Sequence, residues 1–189
     1  AASDVYKRQT FHTEGDGEPI VVGYHHWGKD VVNHLRGMFG IVIWDTHTKT
    51  MFAARDQFGI KPLYYATTEA GAVFASEMKC ILEMADEIGL ELNLDRRAIE
   101  HYVDLQYVPE PESLHAHIRR VESGCTVTLR PGEDVVAERY FKPRFPVQQV
   151  KQGEEQQLFN RIAEALEDSV AKHMRCLLYT SPSPRDRQK

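Results

Sequence analysis

Apolar and polar residues follow one another in a pattern that predicts mixed helix and strand between residues 18 and 90. Residues 18–27 (EPIVVGYHHW) have a proline near the start and apolar positions spaced for a short helix. Residues 38–44 (MFGIVIW) are apolar at nearly every position, which predicts a strand covered on both faces. A polar turn, a second strand, a hairpin and a helix follow at residues 45–50, 51–55, 63–66 with 72–76, and 77–84. Successive strands between helices predict a layered α+β sandwich.

A second region, residues 93–141, has its own helix and hairpin. Asp95 is a good N-cap for a helix over residues 96–106. The apolar stripe of that helix comprises Ile99, Tyr102 and Val103. Strands at residues 126–129 and 135–136 flank a turn rich in charge, proline and glycine, which predicts a hairpin.

The last amphipathic segment, residues 153–175, predicts a long helix after a linker at residues 142–152. Its apolar positions recur every four residues. They are Leu158, Ile162, Leu166, Val170 and Met174. Acidic residues near its start and basic residues near its end match the helix dipole.

Both ends of the chain carry segments that do not match the rest. Residues 3–9 (SDVYKRQ) and 176–181 (CLLYTS) can be encoded by DNA stretches that are reverse complements of each other. Two ends of a natural protein have no reason to show this relation. We therefore interpret residues 1–9 and 176–189 as translated sequencing-library adapter and residues 10–175 as natural. The alternative is an unusual tail rich in serine and proline.

The charge and cysteine content of the chain argue against several classes of function. Without the flanks, whose charged residues sum to +3, the formal net charge falls from −5 to −8. An acidic chain without a basic stripe argues against nucleic-acid binding. No apolar run approaches the roughly 20 residues of a membrane span. Cys80 and Cys125 stand alone, which fits a reducing cytoplasm. None of the histidines has the spacing of a zinc site.

The most informative segment is residues 55–65 (RDQFGIKPLYY), which predicts a strand end, a tight turn and a new strand. Gly59 can adopt a positive φ, and Pro62 can stand at the beginning of a strand. Arg55 and Asp56 are adjacent, so they point to opposite sides and need separate partners. Taken alone, the segment also fits an ordinary β-turn with an ion-pairing arginine.

With LRGMFGIVIWD before it (residues 35–45) and FASEMK after it (residues 74–79), this segment resembles the glutaminase domain of class II glutamine amidotransferases. Within that group the chain is similar to glutamine-hydrolysing asparagine synthetases, most of all to the actinobacterial form. The similarity continues through residues 94–124 into the helix that ends AKHMR and covers essentially all of residues 10–175.

This resemblance implies a division into domains. Residues 10–141 are expected to be the C-terminal part of a glutaminase domain with its connector, a partial αββα sandwich of the Ntn-hydrolase type. Residues 142–152 remain a linker. Residues 153–175 are expected to be the first helix of an asparagine synthetase domain, which is an α/β ATP pyrophosphatase.

The resemblance also implies chemistry for the intact parent, which would transfer the glutamine amide nitrogen to aspartate through aspartyl-AMP, with ATP and Mg²⁺. The family nucleophile is an N-terminal cysteine, expected upstream of Thr10, so no catalytic residue is expected in this chain and the chain alone is expected to be inactive. Asp16 matches the aspartate that pairs with the α-amino group of glutamine. From local sequence, Asp16 also suits an N-cap. The expected structural motif comprises Arg55, Asp56, Gly59 and Pro62, and no metal ligand is expected.

Two alternatives remain open at this point. One is an amidotransferase of the same architecture that acts on another carboxylate, such as diaminopimelate in a peptidoglycan precursor, because acceptor choice belongs to the synthetase domain. The other is a non-catalytic, glutaminase-like binding domain that has lost its cysteine. Expected partners are glutamine and aspartate, without nucleic acid or membrane, in the cytoplasm. A homodimer of the parent is left open.

Strands expected upstream of Thr10 belong to the same core. Their absence from the natural part predicts that some inward side chains meet water. The candidates are Phe39, Ile41, Ile43, Phe52 and Phe74.

Overall fold

The computed structural model describes residues 15, 17–69, 71–145, 153 and 155–177, with the backbone alone for 172–177. The chain divides into two compact units after Lys142. The structure is α+β, and its described strands pair only in antiparallel fashion.

The larger unit contains two antiparallel sheets. The strands, in chain order, are β1 (Gly40–Asp45), β2 (Thr50–Arg55), β3 (Tyr64–Thr68), β4 (Gly71–Ala75), β5 (Ile118–Arg120), β6 (Cys125–Leu129) and β7 (Val136–Arg139). The first sheet has the order β1-β2-β6-β7, and the second has the order β4-β3-β5. The helices of this unit are α1 (Gly17–Trp27), a 3₁₀ helix (Gly28–Asn33), α2 (Met78–Glu83), α3 (Ala85–Ile88) and α4 (Arg96–Leu105).

Successive side chains of β2 point to opposite faces of the first sheet and belong to two different core clusters. Phe52 and Ala54 point to one face, where Ile20 and Tyr24 of α1 pack against them. Ala53 points to the opposite face, into a cluster that joins the two sheets. That second cluster comprises Ala53, Leu63, Tyr65, Val121 and Val127, with Phe74, Leu129 and Val135 against it. The helical cover and the sheet contact thus arise from consecutive residues of one strand.

A third cluster covers the other face of the second sheet. Ala66 of β3 and Ile118 of β5 are buried there against Ile81 of α2 and Ala85 of α3. Each sheet therefore carries helical residues on one face. The predicted helix before the strands, both hairpins and the helix after residue 76 are all present within about two residues of their expected bounds.

The expectation that the first strand is covered on both faces is wrong. The register pairs Ile43 with Phe52 and Val42 with Ala53, so Val42 and Trp44 lie on the face opposite α1. Val42 is 41% exposed and Trp44 is 46% exposed. Strand β1 lies at an edge of the first sheet, and the described residues leave this face partly open at Val42 and Trp44. The apolar run predicted the strand but not its neighbours.

Some of five inward side chains were expected to meet water, and three of them do so in part. Phe52 and Ile41 are buried, because α1 packs on them. The others are partly buried, namely Phe39, Ile43 and Phe74. The larger exposures are those of Val42 and Trp44 in β1, which were not among the five.

Helix α4 begins as predicted, because the Asp95 carboxylate accepts the amide hydrogens of Arg97 and Ala98. Ala98 is its buried residue, and the predicted stripe faces water. The exposed members are Ile99, Tyr102 and Val103. The side of α4 that carries Ala98, rather than its apolar stripe, packs against the rest of the larger unit.

The smaller unit contains helix α5 (Glu155–Leu177), which ends two residues beyond its predicted end. Its apolar side chains at residues 158, 162, 166 and 170 are exposed. The predicted linker lies mostly outside the described residues, as do both terminal segments apart from the last turn of α5. Searched over the described residues, no helix has the length and apolar character needed to span a bilayer.

The open face of β1 can be tested by fluorescence, because Trp27 and Trp44 are the two tryptophans of the chain. In Trp27→Phe, the remaining indole of Trp44 should emit at long wavelength and be quenched readily by acrylamide. In Trp44→Phe, the indole of Trp27, stacked on His34, should be less accessible. A blue-shifted, unquenched Trp44 would show that the face is covered.

Candidate functional site

Asp16, the residue expected to bind glutamine, lies outside the described residues, immediately before α1. The four residues of the expected structural motif are all described: Arg55 ends β2, and Asp56, Gly59 and Pro62 lie in the loop between β2 and β3. The motif therefore defines the candidate site whose geometry can be described.

Arg55 ends β2 with its guanidinium buried, at 5% exposure. Its Nε donates to the Lys61 carbonyl at 2.6 Å, and its Nη2 donates to the Gly59 carbonyl at 2.6 Å. Its Nη1 donates to the Val121 carbonyl at 2.7 Å and also to Glu110 Oε1. One side chain thus joins the loop after β2 to two segments that are more than 50 residues away in sequence.

Glu110 is the counter-charge of Arg55 and has a second partner. Its Oε2 accepts hydrogen bonds from the backbone N–H of Ser123 at 2.8 Å and from the Ser123 hydroxyl at 2.9 Å. Burial raises the pKa of the Glu110 carboxyl, but the hydrogen bonds from Ser123 and Arg55 outweigh it and hold that pKa below its ordinary value of 4.5. Glu110 is therefore ionised at neutral pH, and the buried cation is paired.

Asp56 is 1% exposed and is surrounded by backbone amides. Its Oδ1 accepts from the N–H groups of Phe58 and Ile60 at 3.2 and 3.0 Å. Its Oδ2 accepts from the N–H groups of Lys61 and Phe39 at 3.0 and 3.3 Å. A buried carboxylate needs such donors, so the loop wraps around this side chain. The prediction that Arg55 and Asp56 have separate partners is confirmed.

Gly59 has the predicted positive φ, at 62°. A Cβ there would lie 2.3 Å from Ser123 Oγ and 2.9 Å from the Arg55 guanidinium carbon. Pro62 stands two residues before β3, and the carbonyl of the next residue, Leu63, accepts from the Val121 N–H at 2.9 Å. Gly59 and Pro62 both lie where the loop passes close to the hydrogen bonds of Arg55.

Three members of this network were missed from sequence: Glu110, Ser123 and Tyr140. The segment around Glu110 was interpreted only as a helix stop, and no local pattern links it to Arg55. The Tyr140 hydroxyl donates to the Arg55 carbonyl at 2.7 Å. Burial, with the Asp56 carboxylate nearby, raises the pKa of Tyr140 well above its ordinary range. Only the buried environment, absent from a sequence, identifies these partners.

Chemically, this arrangement positions a loop. The acceptors of Asp56 and the donors of Arg55 are engaged with protein groups, so neither side chain is presented to a substrate. Among the residues that the structure describes, no group of three or more His, Cys, Asp or Glu side chains is placed to hold a metal ion. Burial raises the pKa of the Cys125 thiol, which disfavours the reactive thiolate.

Comparison with known proteins now identifies the fold family. The family model described as "Glutamine amidotransferase domain" matches residues 3–141. The chain belongs to this family. The amidotransferase domain thus includes both sheets and the network around Arg55 and Asp56.

Relatives of the domain carry two kinds of name. A "Putative asparagine synthetase [glutamine-hydrolyzing]" of Mycobacterium tuberculosis is 51% identical over 166 residues, which are 87% of this chain and 26% of the relative. "Asparagine synthetase [glutamine-hydrolyzing] 1" of Bacillus subtilis is 40% identical over 170 residues, 89% of this chain and 26% of the relative. "Amidase chyE" of Penicillium rubens is 30% identical over 131 residues, 69% and 18% respectively. The chain spans about a quarter of the length of the asparagine synthetases it matches.

Gly59→Ala should be much more harmful than Gly89→Ala. Both glycines have φ near +60°, so alanine costs about 1–2 kcal/mol of backbone strain at either position. A Cβ at Gly89 meets open space, whereas at Gly59 it collides with Ser123 and Arg55, which adds about 1–3 kcal/mol. Urea unfolding of the two variants measures the difference. Equal losses would show that the loop does not pass as closely as described.

Glu110→Gln should destabilise the domain at neutral pH by about 3 kcal/mol, because it leaves Arg55 buried without its counter-charge. The lowered pKa of Glu110 gives stability that is present above pH 4.5 and is lost as pH falls through the folded-state value. The variant should therefore lose less stability than the wild type on acidification. Glu133→Gln, which breaks an exposed pair with Arg130, is the control and should change stability by under about 1 kcal/mol. An unchanged acid profile in Glu110→Gln would contradict this.

Proposed function

We propose that this chain is part of a glutamine-dependent asparagine synthetase and contributes the C-terminal part of its glutaminase domain. The observation that carries the proposal is the 51% identity over 166 residues to putative asparagine synthetases that are named as glutamine-hydrolysing. The buried Arg55–Asp56 loop, within an antiparallel α+β unit, supports it.

The architecture proposed for the larger unit is a partial αββα sandwich of the Ntn-hydrolase type. Three observations support it: α1 packs on the first sheet, the two sheets share a cluster, and α2 and α3 pack on the second sheet. We further propose that residues 10–141 are this glutaminase part with its connector and that residues 142–152 form a linker. Residues 153–175 then begin the synthetase domain, and the flanks, residues 1–9 and 176–189, are adapter-derived.

The proposed chemistry begins at an N-terminal cysteine of the intact parent. Its thiol adds to the carboxamide carbon of glutamine, the cysteine α-amino group carries the proton to the departing ammonia, and water then cleaves the glutamyl thioester to glutamate. The ammonia is used to convert an activated aspartate to asparagine. ATP with Mg²⁺ supplies that activation, and no described residue of this chain is assigned to hold either.

Asp16 is the residue of this chain that we assign to substrate. An ammonium group in a closed pocket needs a carboxylate partner, and Asp16 precedes α1 directly. The neighbouring helix is held on the first sheet by Ile20, Tyr24 and Trp27.

A second candidate keeps glutamine hydrolysis and changes the acceptor. Two fungal relatives named amidases, from Penicillium rubens and Gibberella zeae, are 30% and 29% identical, so similar domains occur in proteins with other names. Another carboxylate, such as diaminopimelate in a peptidoglycan precursor, would then receive the nitrogen. A non-catalytic binding domain is the third possibility, and an intact gene without the N-terminal cysteine would favour it.

The intact parent, supplied with glutamine, aspartate and ATP, should form asparagine and glutamate together. Asp16→Ala should lose glutamine use, because removing a buried charge partner costs about 3–5 kcal/mol. Synthesis from free ammonia should survive, since ammonia bypasses the glutamine site. Product analysis with both nitrogen sources provides the measurement.

Three results would change the interpretation. Equal loss with glutamine and ammonia would assign Asp16 to folding. Glutamate release with transfer to another acid would favour the second candidate. No glutamate release by the wild-type parent would leave the binding domain.

A further inference from the structure

The side chain of Tyr140 makes a polar and an apolar contact with the same sheet. Its hydroxyl donates to the Arg55 carbonyl at 2.7 Å, at the end of β2. Its ring packs against the buried cluster that contains Phe52 and Ala54 of the same strand. Burial, with the Asp56 carboxylate nearby, raises the pKa of Tyr140 well above its ordinary range. The hydroxyl therefore keeps its proton and remains a hydrogen-bond donor.

Tyr140 also lies where the chain leaves the larger unit, two residues before its end at Lys142. The N–H groups of Tyr140 and Phe141 donate to the Gly124 carbonyl at 2.9 and 3.1 Å. The Gly124 N–H in turn donates to the Asp56 carbonyl at 2.9 Å. A Cβ on Gly124 would lie 2.9 Å from the Phe141 carbonyl oxygen, so this close approach requires glycine. The exit is thus attached to the loop after β2 through its backbone, and the Tyr140 hydroxyl attaches it to β2 as well.

The cluster that contacts the Tyr140 ring is also the one on which helix α1 packs. The ring of Tyr24, in α1, has its centroid 5.2 Å from that of Phe52. Helix α1 begins at Gly17, the residue that follows Asp16 in the sequence. Protein interiors are close-packed, so a shift of one member is passed to its neighbours. A change at Tyr140 should therefore reach α1 through Phe52.

We propose that Tyr140 is a positioning residue for glutamine use, which holds the chain exit, the end of β2 and the cluster under α1 in one arrangement. The inference rests on the proposed function, because that function assigns Asp16 to the α-amino group of glutamine. This contact is distant from the carbon that reacts, so it binds ground state and transition state alike. Weakening it raises KM and leaves kcat nearly unchanged.

Tyr140→Phe tests this role, because it removes the hydroxyl and keeps the ring. In the intact parent, the KM for glutamine should rise at least about fivefold, while kcat for glutamate release stays within about twofold. Asparagine formation from free ammonia should not change, since ammonia does not use the α-amino contact. Steady-state glutamate release and product analysis provide the measurements.

Thr126→Val is the matched control. The buried Thr126 hydroxyl donates to the Glu138 carbonyl at 3.3 Å. That hydrogen bond joins β6 to β7, which are already paired along their length. Both variants should lower the thermal midpoint of the parent, because each leaves a backbone carbonyl without its hydroxyl donor. Only Tyr140→Phe should change the KM for glutamine.

Hydrogen exchange gives a readout that does not depend on activity. In Tyr140→Phe, the backbone amides of α1 should exchange at least about threefold faster than in the wild type, because the packing of this helix is weakened. In Thr126→Val they should exchange at the wild-type rate.

The outcomes distinguish the role of Tyr140 from the proposed function. An unchanged KM for glutamine in Tyr140→Phe overturns the role, and so does an equal loss of synthesis from glutamine and from ammonia. A raised KM with wild-type exchange in α1 overturns the route through that helix. A wild-type parent that releases no glutamate rejects the proposed function and the role with it, whereas glutamate release with an unchanged KM rejects the role alone.

Discussion

Burial of two opposite charges, Arg55 and Asp56, is the constraint on which the geometry of this domain depends. A buried ion must have its hydrogen-bonding capacity satisfied, so the surrounding chain has few conformations available. Arg55 binds carbonyls from the loop and from Val121, and Asp56 binds amides from the loop and from Phe39. These hydrogen bonds fix where β2 ends, how the loop turns and where the next segments pass.

Apolar packing stabilises the domain but does not by itself set this geometry. The three clusters lie in successive layers around the two sheets, and each is made from the alternation of neighbouring residues. Sliding a strand by one residue would exchange its faces, which the clusters resist. The polar network around Arg55 and Asp56 determines the course of the chain after β2, at the end of the first sheet. Replacing such networks by apolar residues often retains stability, so we attribute to it positional definition more than energy.

The fold could largely be predicted from sequence because local signals decide it. Apolar runs bounded by turn residues predicted the strands, and the Asp95 cap predicted the start of α4. The exposure of Val42 and Trp44 could not be predicted, since cover depends on which elements lie opposite. Within the candidate site, Gly59 and the separation of Arg55 from Asp56 were predictable from backbone rules. Glu110, Ser123 and Tyr140 were not, because their contact with Arg55 spans the fold. The place of Asp16 remains a prediction.

The proposed separation of glutamine hydrolysis from acceptor chemistry follows from the intermediate that joins them. Ammonia is the same molecule whichever acceptor acid later receives it, so a glutaminase domain needs no contact with the acceptor. Similar domains in proteins named as synthetases and as amidases are compatible with such independence. What the domain must share with its partner is a fixed relative position, since ammonia released into water is protonated and diluted.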